Sequence, residues 1–120
     1  MIIDANIILR CILNDNVELA NKAKFIIENN DCFAPTEVLA EVVYVLQKVY
    51  GVSRCEIANL LSLSFRYYAT ENEMLLKNSL TFYSQTKLDF VDCILASRYF
   101  VSGEKISTLD RKLENFIERL

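Results

Sequence analysis

Five carboxylates in this 120-residue chain, Asp4, Glu41, Asp89, Asp92 and Asp110, are the side chains whose types and positions could carry chemistry together. Histidine is absent, which removes Ser/His and Cys/His nucleophile pairs, imidazole acid–base catalysis and His-containing zinc sites. The four cysteines, Cys11, Cys32, Cys55 and Cys93, are widely spaced and each lies in an apolar stretch. They form neither the short knuckles of a zinc site nor the clusters of a small secreted domain, and read as reduced, buried thiols of a cytosolic protein. Catalysis then falls to carboxylates, metals, hydroxyls or thiols. Oxygen-only donors suit Mg²⁺ or Mn²⁺, and such cations activate water and offset charge on a phosphodiester during in-line attack.

Each acid also has an ordinary structural explanation. Asp4, behind Met1-Ile2-Ile3, reads as a turn residue or helix cap; Asn6, two residues on, is placed to bond its carboxylate or a substrate. Glu41 lies mid-helix at the margin of an apolar stripe, where a carboxylate needs a partner such as Lys48 or a cation. Asp89 and Asp92, three apart at a helix start, project from one side and suit the helix dipole. Asp89 fits an N-cap whose oxygen takes backbone N–H bonds, leaving Asp92 free to reach a cation. Asp110, behind Thr108-Leu109, sits at the N-cap of a last helix. Taken together, they place four or five carboxylates at strand ends and helix starts.

The elements that would position these acids alternate. Residues 1–4 read as a short buried strand. Residues 18–29 form an amphipathic helix with Leu19, Ala23, Ile26 and Ile27 on one face. Asn29-Asn30-Asp31 is a turn and Cys32-Phe33-Ala34 a second strand, stopped by Pro35. Thr36 caps a helix through Tyr50 with Val38, Val42, Val45, Leu46 and Val49 as its stripe and Gly51 as its stop. Ser53 and Glu56 form a capping box for a helix to about Phe65. A brief strand over 67–71 precedes a helix over 73–86. Asp89 or Phe90 opens another helix, with Val91, Ile94 and Leu95 facing inward, ending at Ser102-Gly103. Lys105 to Leu109 alternates as a final strand, and 111–120 is a helix with Leu113, Phe116, Ile117 and Leu120 on one face. Short strands between longer helices predict an α/β fold, a short central parallel sheet flanked by helices on both faces. In such sheets ligands bind beyond the carboxyl ends of the strands, where Asp4 and Asp110 fall.

Length allows one domain, spanning 1–120. The chain is 52% hydrophobic with only two glycines and one proline, too few turn-formers for a many-stranded β fold. That hydrophobic content on so small a domain suggests apolar surface covered by another chain. A net charge of −3 runs against a nucleic-acid binder, unless bound cations offset clustered acids. With no basic leader and no apolar run of membrane-spanning length, a cytoplasmic protein without membrane attachment is expected.

A receiver domain of two-component signalling would need paired acids after the first strand and a mid-chain aspartate, yet no aspartate occurs between Asp31 and Asp89. A phosphatase with an Asp-x-Asp nucleophile is excluded by Asn6 at the second position. Four blocks instead carry a resemblance: Ile2-Ile3-Asp4-Ala5-Asn6-Ile7-Ile8-Leu9-Arg10, then Pro35-Thr36-Glu37-Val38-Leu39-Ala40-Glu41-Val42-Val43-Tyr44-Val45-Leu46, then Leu88-Asp89-Phe90-Val91-Asp92-Cys93-Ile94-Leu95-Ala96, and Ser107-Thr108-Leu109-Asp110. In this order and across essentially the whole chain, they resemble the PIN domain, most of all the VapC-type toxins of toxin–antitoxin pairs. The resemblance implies a Mg²⁺- or Mn²⁺-dependent endoribonuclease, commonly a homodimer inhibited by a cognate antitoxin. It implies Asp4, Glu41 and Asp92 as metal-binding acids with Asp110 the fourth, and Asn6 and Thr108 in support; Asp89 is a further supporting acid. Arg10, Arg98 and Arg111 are candidates for contacting RNA. Cys93 stands where the family often has alanine, and a pI near 5.0 is low for an RNA-cutting protein. The alternatives are a non-toxin RNA-processing nuclease and a non-catalytic RNA-binding or interaction module of the same fold.

Overall fold

The computed structural model describes residues 1–120. The chain enters extended: Ile2 bridges Phe33 in parallel, the Ile3 N–H donates to the Phe33 carbonyl at 3.0 Å, and the Phe33 N–H donates to the Met1 carbonyl at 2.8 Å. Strand β1 (Phe33–Ala34) pairs in parallel with β2 (Ala69–Thr70), Phe33 opposite Ala69 and Ala34 opposite Thr70. The lateral order is therefore N-terminal segment, β1, β2. Seven helices flank this short parallel sheet: α1 (Ala5–Leu13), α2 (Val17–Asn29), α3 (Thr36–Lys48), α4 (Arg54–Ser64), α5 (Glu73–Gln85), α6 (Phe90–Ser102) and α7 (Arg111–Glu118). None is long and apolar enough to cross a membrane.

Local chemistry sets most helix starts. Asp4, Asn16, Ser53, Asn72 and Asp110 each accept a backbone N–H from the first turn of the helix that follows, satisfying donors that the helix itself leaves free. Ser53 performs half of the expected box: its hydroxyl accepts from the Glu56 N–H at 3.2 Å. Gly51 at φ +64° and Gly103 at φ +69° turn the chain after α3 and α6, a conformation glycine reaches without steric cost. The core runs between the helices and the sheet, with Ile8, Leu39, Val42, Leu46, Ile57 and Leu76 almost wholly buried. Between α5 and α6, buried Ser79 and Ser97 place their hydroxyls 3.0 Å apart, and Ser97 also accepts from the Asn78 amide at 2.9 Å.

Several expectations are corrected. Ala5–Leu13 forms a helix that the Ile-Ile-Leu run had masked, capped by Asp4 and ended by Asn14 at φ +52°. On α2 the face toward α1 is Ala20 and Ala23, whose small side chains permit close approach, while Leu19 is exposed. Helix α3 begins behind Pro35, which has no capping oxygen, so Thr36 is its first residue rather than its cap; the Thr36 N–H donates to the Glu71 carboxylate at 2.8 Å instead. This helix ends at Lys48, not Tyr50, and buries Leu39, Val42, Val43 and Leu46. That stripe has the same helical spacing as the expected one but is rotated, so Val49 is exposed. On α6, Val91 is likewise exposed rather than inward-facing. Lys105–Leu109 forms no strand: its alternation finds no neighbouring strand, and Leu109 is fully exposed. Asp110 therefore follows an irregular segment, not a strand end. All four cysteines are free, but only Cys32 and Cys93 are buried; Cys55 is exposed.

Candidate active site

Asp92 lies in the first turn of α6, half-buried. Burial pushes its carboxyl above the usual carboxylate range, and the negative charges of Asp110 and Asp89 push it the same way. Ionising three neighbouring carboxylates costs more than ionising one. Asp89 occupies the N-cap position of α6 in extended backbone, yet its side chain accepts no capping bond. The expected division of labour between the two, a capping Asp89 and a free Asp92, is thus corrected: both carboxylates are free of the helix end. Asp110, by contrast, spends its Oδ1 on the Lys112 and Leu113 N–H groups at 2.8 and 3.3 Å, and the Thr108 hydroxyl accepts the Asp110 N–H at 3.0 Å. One oxygen of Asp110 remains for another partner.

Asp4 is held similarly, its Oδ1 accepting the Ile7 N–H at 3.2 Å at the start of α1; Asn6 stands exposed in the same turn. Glu41 is on the exposed side of α3. The ion pairs of the molecule are Arg10–Asp15, Lys77–Glu73 and Arg98–Glu104, so the expected partner Lys48 does not hold Glu41. The structure thus gathers Asp89, Asp92 and Asp110 into one electrostatic neighbourhood. It does not bring any three acids close enough to hold one metal ion. Of the basic candidates, Arg10 is bonded to Asp15 at 2.8 Å and Arg98 is clamped by both oxygens of Glu104; Arg111 is exposed and outside every ion pair.

Two further residues, Arg54 and Tyr83, support the site from neighbouring helices. The Arg54 Nη1 donates to the carbonyls of Tyr83 at 3.1 Å and Leu88 at 2.7 Å, and its guanidinium lies 4.2 Å from the centroid of the Tyr83 ring. It thereby ties the start of α4 to α5 and to the turn that delivers Asp89 and Asp92. Nothing in the residues around Arg54 signals that reach. Tyr83 carries a weak signal, a phenol at helical spacing from Leu76 and Leu80. Beneath Asp92, burial pushes the Cys93 thiol up to about 11, so it stays neutral. Between α3 and α6 runs a groove of about 610 Å³ with Tyr44 and Lys48 on one wall and Asp89 and Asp92 on the other.

A short parallel sheet among helices, with acids gathered at helix starts, defines a small α/β domain. The PIN domain family matches residues 1–118, and the chain belongs to that family. PIN domains are generally nucleases and generally use divalent metal ions. No curated protein and no solved structure matches the chain. The donor chemistry of Asp89, Asp92 and Asp110 suits such an ion. No three carboxylates converge on one point, so an ion here would be held by one or two of them with water in its remaining positions.

Proposed function

We propose that the chain is a metal-dependent endoribonuclease acting as the toxin of a toxin–antitoxin pair, with Asp92 as its principal site carboxylate. The observation that carries this reading is Asp92 itself. In a member of a nuclease family without a single histidine, one half-buried carboxylate stands beside a groove and is charge-crowded by two others. A divalent cation, Mg²⁺ or Mn²⁺, would relieve that crowding. Asp110, Asp4 and Glu41 are the further metal-binding acids in this reading, Asp89 is supporting, and Asn6 and Thr108 hold the surroundings. With Arg10 and Arg98 committed to carboxylates, Arg111 is the arginine best placed to meet RNA phosphate. A homodimer and an apolar antitoxin segment are supported by large apolar side chains left at the surface, among them Ile2, Val17, Phe25 and Phe100.

The test is RNA cleavage by the purified chain with Mg²⁺, with Mn²⁺ and with chelator. Cleavage should require metal and vanish in Asp92→Asn, while Asp89→Asn retains more activity. Cleavage indifferent to chelator and to Asp92→Asn would overturn the reading. The lack of convergence among the acids favours one second reading, a non-catalytic RNA-binding module. Metal-independent RNA binding with no cleavage in the same assay would support it.

A further inference from the structure

Helix α7 sorts its charges by face. Lys112 and Arg119 fall on one side with Asn115 and Phe116 between them, the i, i+3, i+4, i+7 spacing of a single helix stripe. Glu114 and Glu118 line a separate cleft beside Ile106 and Thr108. Helix stability gives no reason for this arrangement. Glu114 and Glu118 stand four apart, where like charges destabilise a helix. Lys112 lies in the first turn, where the helix dipole disfavours a cation. Arg119 at the C-terminal end suits the dipole, but no carboxylate pairs with it.

The cationic face of α7 meets the end of α5 and the turn that follows it. Together they form a cleft of about 310 Å³, to which Gln85 and Lys87 contribute from the α5 side. Lys87, Lys112 and Arg119 belong to none of the ion pairs of the molecule. No carboxylate lines the cleft, although acids outnumber bases 16 to 13 along the chain. Charges of one sign beside an apolar wall, here the partly buried Phe116, focus the field in such a cleft. Lys112 and Arg119 are about 10 Å apart along the helix axis, with Lys87 on the facing element. A carboxylate carries one charge on two oxygens and answers one of these cations. Phosphate offers oxygens on several sides, accepts the two-pronged bond of a guanidinium, and leaves others for amide donors such as Gln85 and Asn115.

We propose that the cleft between α7 and the α5–α6 turn is a phosphate site, separate from the carboxylates. Lys112 and Arg119 hold phosphate oxygens from α7, Lys87 does so from the turn, and the Gln85 and Asn115 amides donate to those left over. The site goes beyond the nuclease reading and does not rest on it, because neither metal nor cleavage is involved. It adjoins the acids without including them: Lys87 lies two residues before Asp89, and the Lys112 N–H donates to Asp110 Oδ1 at 2.8 Å. An anion bound there ties the turn that carries Asp89 to the helix that Asp110 caps. The phosphate comes from a free oligophosphate or from the backbone of a strand.

The experiment melts the full chain in chelator with millimolar pyrophosphate, against chloride at matched ionic strength. Pyrophosphate should raise the melting temperature by about 4 °C, and chloride should not. Lys87→Gln, Lys112→Gln and Arg119→Gln should each weaken pyrophosphate binding about tenfold in calorimetry. Their melting temperatures without the anion should stay level or rise, because crowded like charges have been thinned. Lys22→Gln, on the exposed side of α2, should bind as the wild type does. A second arm titrates a short single-stranded RNA in the same buffer. If pyrophosphate displaces the RNA and the three variants weaken it, the strand supplies the phosphate; if RNA binding ignores the variants, a free oligophosphate does. The site is overturned if neither pyrophosphate nor RNA binds, or if their binding survives all three substitutions. Equal stabilisation by chloride overturns it too, as does a poly-glutamate peptide that binds where they do not.

Discussion

Asp92 and Asp89 show how three residues of separation on one helix produce different acids. Asp89 is exposed at the helix start, whereas Asp92 is half-buried against Asp110 and Asp89, and its pKa is raised from 3.8. A carboxyl whose pKa is higher folded than unfolded favours the folded state fully only below the unfolded value, and that contribution is lost as pH rises through the folded value. At neutral pH the metal-free protein therefore carries ionised Asp92 at a cost. Asp92→Asn should raise the melting temperature at pH 7 in chelator, and the gain should close as the pH falls below about 4, where both states hold the proton. Thermal melts of the two proteins across that range check it; a loss of stability at pH 7 would show that the Asp92 charge is structurally paired. Asp110 combines two tasks, one oxygen capping α7 and a charge that adds to the crowding at Asp92, so asparagine is the informative substitution there because it preserves the cap.

At the scale of elements, the acids are positioned by helix packing rather than by the sheet. Helices α5 and α6 meet along buried serines, α7 packs on α6, and Phe82 and Phe116 close that junction edge-to-face at 4.9 Å. The turn from α5 into α6 has no regular structure to hold it; the Thr86 hydroxyl pins it locally to Phe82 and Leu88, and Arg54 from the start of α4 ties it to its neighbours by bonding the Tyr83 and Leu88 carbonyls. Both acceptors lose a charge-assisted bond if that side chain is removed. Arg54→Ala should cost about 2–4 kcal/mol in urea unfolding. Arg54→Lys should fall between, since an ammonium keeps the charge but not the flat stacking on Tyr83. An Arg54→Ala protein of wild-type stability would show that the Thr86 hydroxyl bonds to Leu88 and Phe82 and the packing of Leu88 and Phe90 hold the turn without it.

The whole molecule is elongated, 46 × 28 × 20 Å with a radius of gyration of 15.0 Å, against about 13–14 Å for a compact chain of this length. The four acids proposed to hold metal come from the starts of α1, α6 and α7 and from mid-α3, so bringing them onto one ion would engage most of the fold. Binding to the folded state alone raises apparent stability. Mn²⁺ should therefore raise the melting temperature of the wild type and much less that of Asp92→Asn. Small-angle scattering of the same samples, at matched oligomeric state, separates two outcomes. A radius below that of the chelated protein indicates that the helices close around the ion, and an unchanged one places the ion on Asp92 and its immediate neighbours. No change in melting temperature with Mn²⁺ would count against metal binding.

Much of this was legible along the chain because it is set within one turn of backbone. Ser53 and Asp110 announce their helices by the oxygen they offer, Pro35 stops β1 because it cannot donate, and Gly51 and Gly103 mark reversals that need positive φ. The presence of each later helix follows from apolar spacing, although α3 and α7 each stop two residues short of the expected end, and the order of acids along the chain was readable without coordinates. Position in space was not. Apolar spacing says that a helix has a buried face, but the neighbours decide which one, so α3 buries Leu39 and Val43 where Val38 and Val49 looked equivalent. The alternation of Lys105–Leu109 describes half of a strand pair, and the other half must come from elsewhere in the fold. A carboxylate at a helix start serves equally as cap or ligand in sequence. Asp4 proved to be a cap, Asp89 neither capping nor buried, and Asp92 the one pressed against like charge. Those distinctions depend on long-range packing, which places Arg54 beside Tyr83 across 29 residues.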